Sequence, residues 1–191
     1  PMAPVTPDGP ADTSAAWISA LPVTKGFRAE VRDSAQINTL VVHSMYNPEV
    51  QDSFAAVQCT TLLSRYDVSA HYLIDRAGTV YELVNPLATS WHAGRSKMPD
   101  GRTGVNGFSL GVEVINSKHT EPTKAQYQAL ARLERWLRRR FPIRWVVSHA
   151  TIAPHRKSDP WNFDWAYYHS LADEVATDAL PATAESISID S

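Results

Sequence analysis

The chain reads as a single α/β domain built on one central mixed β-sheet flanked by helices, and three features of its 191 residues lead there. Short apolar and β-branched runs alternate with longer segments of helical periodicity, the order that wraps helices around a sheet. Two of the runs, LVV at residues 40–42 and LGVEVI at 110–115, are apolar enough to read as a buried and a central strand. Two more runs are joined by a short connection ending in Gly78, which adds a hairpin to the sheet.

In chain order, residues 1–16 are rich in Pro, Ala, Thr and Asp and show no apolar period, too little to offset the entropy of ordering them. They read as a flexible leader, so the domain is expected over residues 21–180, between a leader at 1–20 and a tail at 181–191. A start without methionine and with this composition reads as the mature end of an exported protein. Residues 39–43 form the first buried strand, and residues 53–65 a helix with Phe54, Val57, Leu62 and Leu63 facing inward. Residues 70–75 and 79–84 flank Arg76, Ala77 and Gly78, where Gly78 supplies the positive φ of a tight connection. Ser109–Ile115 is a central strand.

The longest helix opens after Pro122, with Thr123 and Gln126 spaced as a capping box and Tyr127, Leu130, Leu133 and Leu137 on one face. Arg138, Arg139 and Arg140 crowd its last turn, where cations complement the negative end of the macrodipole. Residues 143–147 give another short strand. A last helix at 164–176 turns Trp165, Tyr168, Leu171, Ala172 and Val175 inward.

Composition excludes several function classes. A hydrophobic content of 43% and a net charge of −2 describe an ordinary globule without the basic face that nucleic acid requires. No apolar run approaches the ~20 residues that span a bilayer. The single Cys59 forms no internal disulfide.

The chemistry concentrates at residues 148–160, SHATIAPHRKSDP. His149 and Asp159 lie ten positions apart with Pro154 between them, which forbids a continuous helix and lets a loop fold both onto one point. His149 follows a buried strand, and His43 ends another. Two histidines and one carboxylate suit Zn²⁺, held by three protein ligands with a fourth position for water, whose pKa then falls to about 7. The same donors also suit Fe(II). Glu113 interrupts an apolar strand, either as a buried acid/base or as an outward-facing residue on a one-sided strand. Lys157, two residues before Asp159, is a candidate for holding an oxyanion or an exposed loop cation. Arg156 has the planar fork that clamps a carboxylate.

NTLVVHSM, VSAHYLIDRAGTVYELV, SWHAGRS, NGFSLGVEV and SHATIAPHRKSDP, in that order, resemble the zinc-dependent N-acetylmuramoyl-L-alanine amidases, a family that also includes peptidoglycan-recognition proteins and phage amidase lysozymes. The resemblance implies Zn²⁺ on His43, His149 and Asp159, Glu113 as catalytic acid/base, and Lys157 beside the metal. It implies cleavage of the amide between the muramic acid lactyl group and L-alanine of the stem peptide, with peptidoglycan or a muropeptide as substrate. Trp91 and His92 then line the substrate groove and Tyr46 the cleft wall. Where lysozymes and active recognition proteins place a catalytic tyrosine this chain has Ala70, and where many recognition proteins have cysteine it has Asp159, both features of the bacterial branch.

His71 reads as a satisfied core histidine. His155 departs from the glycine usual in bacterial relatives, and Asp67 replaces an arginine frequent in the enzymes that recycle 1,6-anhydro-muropeptides. With the leader, Asp67 favours a cell-envelope or secreted enzyme over a cytoplasmic one. A non-catalytic peptidoglycan-binding module and a metal hydrolase acting on another amide are the competing readings.

Overall fold

The computed structural model describes residues 15–178, with side chains through residue 173. Residues 1–14, the tail at 181–191 and the side chain of Val175 lie outside the described residues. The strands are β1 (Ile18–Ala20), β2 (Phe27–Arg28), β3 (Thr39–Met45), β4 (Tyr72–Ile74), β5 (Val80–Glu82), β6 (Thr89–Ser90), β7 (Ser109–Ile115) and β8 (Trp145–Ser148). The helices are α1 (Ala56–Arg65), α2 (Lys124–Arg138), the single-turn α3 (His149–Ile152) and α4 (Trp165–Asp178). Six strands form the main sheet in the order β1-β5-β4-β7-β3-β8, while β2 and β6 form a separate antiparallel pair. Only β4 and β5 run antiparallel within the main sheet, so it is mixed as expected.

Every residue of β3 and β7 is buried, which is why both read as continuous apolar runs. Side chains alternate across the sheet. Leu40, Val42, Leu110, Val112 and Val114 join Tyr127, Leu130, Leu133 and Leu137 of α2 and Tyr168 of α4 in the largest core. On the opposite face Met45, Leu73 and Ile115 pack with Cys59 and Leu63 of α1, and Val41 packs separately with Ala93, Val105, Val147 and Ile152. Between these two smaller cores, on the same face, stand His43 and Glu113.

Local sequence accounts for both ends of α2 and for the β4–β5 turn. Thr123 Oγ1 accepts from Gln126 N while Gln126 Oε1 accepts from Thr123 N, closing the capping box that starts α2. At the other end Arg138 pairs with Glu134 and donates to Ile143 O, so this part of the arginine run serves the helix terminus. Gly78 adopts φ 85° in the β4–β5 turn, and Asp75 Oδ1 accepts from Ala77 N and Thr79 N.

Three expectations change. The helix expected at 53–65 begins at Ala56, and this start turns Cys59, Thr60 and Leu63 inward and leaves Val57 59% exposed. The strand before His149 is the edge of the sheet, so Trp145 and Val146 are only half-buried. Residues 18–20, assigned to the leader, pair in parallel with β5, and Trp17 packs edge-on against Trp136. Propensity misses such a strand because its stability comes from the ladder it joins rather than from its own three residues.

Candidate metal centre and active-site cleft

Parallel pairing delivers the site. In register, His43 of β3 lies beside Glu113 of β7, and the preceding Val42 lies beside Ser148 of β8, so His149 starts where β8 ends. All three strands run the same way, and their carboxyl ends open together, the place where open α/β sheets bind ligands. Ser148 caps α3 by accepting from Thr151 N, which fixes the one-turn helix that carries His149. The loop beyond returns Asp159 to the same point, anchored by Ala150 N donating to Asp159 O.

His43 Nδ1 lies 2.9 Å from His149 Nδ1 and 3.3 Å from Asp159 Oδ2, and His149 Nδ1 lies 3.2 Å from Asp159 Oδ2. A tetrahedral ion bound at 2.0–2.2 Å requires donor-to-donor edges of roughly 3.3–3.5 Å, so this triangle is close to the size of one coordination face. All three residues are buried. Among the described residues they are the one group of histidine, cysteine or carboxylate side chains placed to share an ion. The remaining ring nitrogens have other partners, His149 Nε2 donating to Ala93 O and His43 Nε2 lying 3.0 Å from His92 Nδ1. Burial pushes the His43 imidazole down to about 4 despite the opposing pull of Asp159, which keeps it neutral and able to ligate. Burial alone would raise the Asp159 carboxyl, but hydrogen bonds from His149 and His43 outweigh it and hold the group below its ordinary range.

Glu113 is 7% exposed, and its Oε2 has no hydrogen-bond partner. The outward-facing alternative is thereby removed, since both faces of β7 are covered. Burial, then the neighbouring charge of Asp159, pushes its carboxyl well above the usual range, while Lys157 opposes. A buried carboxyl that lines a cleft and keeps one oxygen without a partner is a group poised to exchange a proton.

The cleft has a volume of about 530 Å³ and is lined by His43, Glu113, His149 and Asp159 at its base. Tyr46, Trp91, His92, Arg156 and Lys157, all expected at the site, line it as well. Trp91 is 45% exposed, an open apolar face at the rim. Tyr46 stacks edge-on against Trp161 at 6.0 Å and Phe54 at 6.3 Å, forming wall as expected. Arg156 Nη2 is committed to the backbone, donating to Ala93 O and Arg95 O, so its remaining donors are those left for a ligand. Lys157 is exposed in the loop before Asp159.

Sequence reasoning missed several supports. Asn106 Oδ1 accepts from His92 N and Ala93 N and so holds the segment carrying both. Ser44 N donates to Asp159 Oδ2, and Ser44 Oγ accepts from Trp161 N. Trp161, Lys118, Leu62, Tyr66 and Val68 complete the cleft walls. Asparagine and serine in such positions carry no pattern of their own, because their partners are distant in sequence. His71 is the satisfied core histidine expected: Nδ1 accepts from Gly111 N, and Nε2 lies 2.9 Å from Ala88 O.

Comparison with known proteins agrees with this geometry. The family model described as N-acetylmuramoyl-L-alanine amidase matches residues 33–162. The 1,6-anhydro-N-acetylmuramyl-L-alanine amidase AmpD of Citrobacter freundii is 41% identical over 107 residues, 54% of this chain and 57% of that protein. The N-acetylmuramoyl-L-alanine amidase AmiD of Escherichia coli is 33% identical over 159 residues, 71% of this chain and 55% of that protein. The matches thus span little more than half the length of these curated relatives. A crystal structure of a selenomethionine AmpD derivative superposes with a TM-score of 0.69 at 30% identity, covering 84% of this chain and 97% of that one. The complex of E. coli AmiD with anhydro-N-acetylmuramic acid-L-Ala-D-γ-Glu-L-Lys superposes with a TM-score of 0.60 at 29% identity, covering 75% and 60%. With the family model matched across most of the fold and through all three candidate ligands, the chain belongs to the N-acetylmuramoyl-L-alanine amidase family of bacterial muropeptide amidases.

Proposed function

We propose that this protein is a zinc amidase that cuts the bond between the lactyl group of N-acetylmuramic acid and L-alanine of the stem peptide. The observation that carries the reading is Glu113 Oε2, buried without a partner on the strand beside His43. A structural carboxyl in that place would be costly. A proton carrier needs to be there.

His43, His149 and Asp159 fit zinc by donor type, spacing and burial. Zinc bound by them would polarise the scissile carbonyl and lower the pKa of water. Glu113 takes the proton of the attacking water and passes it to the leaving nitrogen of L-alanine, a task suited to a carboxyl whose affinity for protons is raised. Lys157, on the cleft wall, directs its positive charge at the carbonyl oxygen as negative charge develops there. Trp91 and Tyr46 offer flat surfaces for the sugar and peptide, and His92 closes the groove beneath them. The free donors of Arg156 face a stem carboxylate.

The named activities of AmpD, and the ligand in the AmiD complex, support a 1,6-anhydro-muropeptide as substrate. Asp67, weighed against this choice in the sequence, is exposed beside the cleft-lining Tyr66 and Val68 and pairs with Lys25 at 3.6 Å, which offsets part of its charge. No described helix is long and apolar enough to cross a membrane.

The test is mass spectrometry of products from purified sacculi and from anhydro-muropeptides, with zinc-loaded and chelator-treated protein. Free peptides beginning at L-alanine, lost on chelation, are expected, with faster release from the anhydro-muropeptides. Zinc binding without release from either substrate would sink the amidase reading in favour of a binding module.

A further inference from the structure

His43 and His149 present the same atom, Nδ1, to the shared point, but their far nitrogens are held differently. His149 Nε2 donates to a backbone carbonyl, Ala93 O, at 3.1 Å. A carbonyl has no proton to misplace. His43 Nε2 instead meets His92 Nδ1 at 3.0 Å, and an imidazole nitrogen accepts only in one of its two neutral tautomers. His92 Nε2 in turn lies 3.0 Å from Ser109 Oγ. With Nδ1 of His43 given to the ion, its proton sits on Nε2, so His92 Nδ1 must accept and His92 Nε2 must donate to Ser109. The three residues make a directed chain from strand β7 to the metal centre.

We propose that His92 is a positioning residue for the metal centre, holding His43 in the ligating tautomer and orientation, with Ser109 Oγ accepting from His92 Nε2 and so satisfying that tautomer. The inference rests on the metal reading of His43, His149 and Asp159. Two observations show that the fold makes room for it. An ideal Cβ on Gly111 would come within 2.4 Å of the His92 ring, so β7 carries glycine where the imidazole crosses it. His92 is 8% exposed and its segment is clamped through Asn106, which leaves the ring little freedom. Hydrogen bonds of this kind orient metal-ligating histidines and raise their basicity.

The test measures zinc affinity by competition with a chromophoric chelator, alongside the melting temperature of the metal-free protein. His92→Phe keeps the ring but removes the acceptor and is expected to weaken zinc binding about 10–100-fold. His92→Asn places an amide oxygen near the former Nδ1 and is expected to recover most of that loss. Should His92→Phe fail to fold, Ser109→Ala, which leaves His92 Nε2–H without its acceptor, is expected to weaken zinc binding several-fold on its own. Zinc affinity of His92→Phe equal to the parent would overturn the proposal, as would His92→Asn no better than His92→Phe at matched metal-free stability. With His92→Phe unfolded, unchanged affinity in Ser109→Ala would also overturn it. Failure of the parent to bind zinc would instead remove the metal reading beneath it.

Discussion

Leu40, Val42, Leu110, Val112 and Val114 leave one side of the central strands; Val41, His43, Met45, Gly111, Glu113 and Ile115 leave the other. The first side is closed by α2 and α4 into one apolar and aromatic core. The second is divided into two smaller cores, with two polar residues buried in the gap between them. Both sides are withdrawn from water, so burial does not separate them. What differs is the chemistry of the groups that are buried. Among the described residues, the α2 side leaves only neutral atoms of its aromatic residues, Tyr72 Oη and Trp136 Nε1, without a partner inside a close-packed core, whereas the other leaves an oxygen of an ionisable carboxyl, Glu113 Oε2, without one and turns two imidazoles and a carboxylate toward one another. Stability resides in one side of the sheet and chemistry in the other, on the same two strands.

The sharpest way to break this division is to remove a ligand. His149→Ala is expected to abolish zinc binding and peptide release together, and zinc itself to raise the parent's melting temperature. At zinc about a thousand-fold above its Kd the gain is about 4 kcal/mol. Retention of zinc by the variant would show that the triangle is not the metal centre. Next comes Glu113→Gln, expected to lower turnover by about 10²-fold or more while zinc stays bound. Its metal-free form should melt no lower than the parent, because an unpartnered carboxyl has been replaced by a neutral group of the same size. Unchanged turnover would remove Glu113 from the mechanism.

Leu130→Ala probes the opposite side and should cost about 2–5 kcal/mol of stability. Turnover per folded molecule should hold, and a fall in it would mean that the α2 core also tunes the site. At neutral pH the smallest effect concerns His71, whose pKa burial pushes down to about 3, with Arg32 adding to the shift. Its contribution to stability is complete above the ordinary imidazole pKa of about 6.5 and drains away as pH falls toward 3, because the unfolded chain takes up the proton first. His71→Gln, measured without metal, is therefore expected to flatten the dependence of stability on pH between these limits. An unaltered slope would assign the acid sensitivity to His43 and His92 instead.

Much of the first side of the sheet was legible in the residues, since apolar period and capping chemistry are local. The α2 stripe from Tyr127 to Leu137 and the Thr123–Gln126 box needed no partner to be read. The candidate ligands were legible for another reason: a histidine or carboxylate at the end of an apolar run is conspicuous wherever the chain later takes it. Their supports were not. Ser44, Asn106 and Ser109 act through contacts with Trp161, Ala93 and His92, and single polar residues of common type announce no such pairing. The Val57 error has a similar origin, because the phase of α1 follows from a turn at residues 53–55 that the apolar pattern did not reveal.

The donor triangle is also a knot in the chain. His43 and His149 stand 106 residues apart, and Asp159 follows ten residues after His149, beyond an exposed stretch at residues 154–158. An ion joining them would close one long loop and one short one, and so tie the last part of the domain to its first long strand. Arg156 and Lys157, the basic residues of that exposed stretch, are where trypsin would cut if the tie were undone. Resistance to cleavage there becomes a clock for metal release, readable without any substrate.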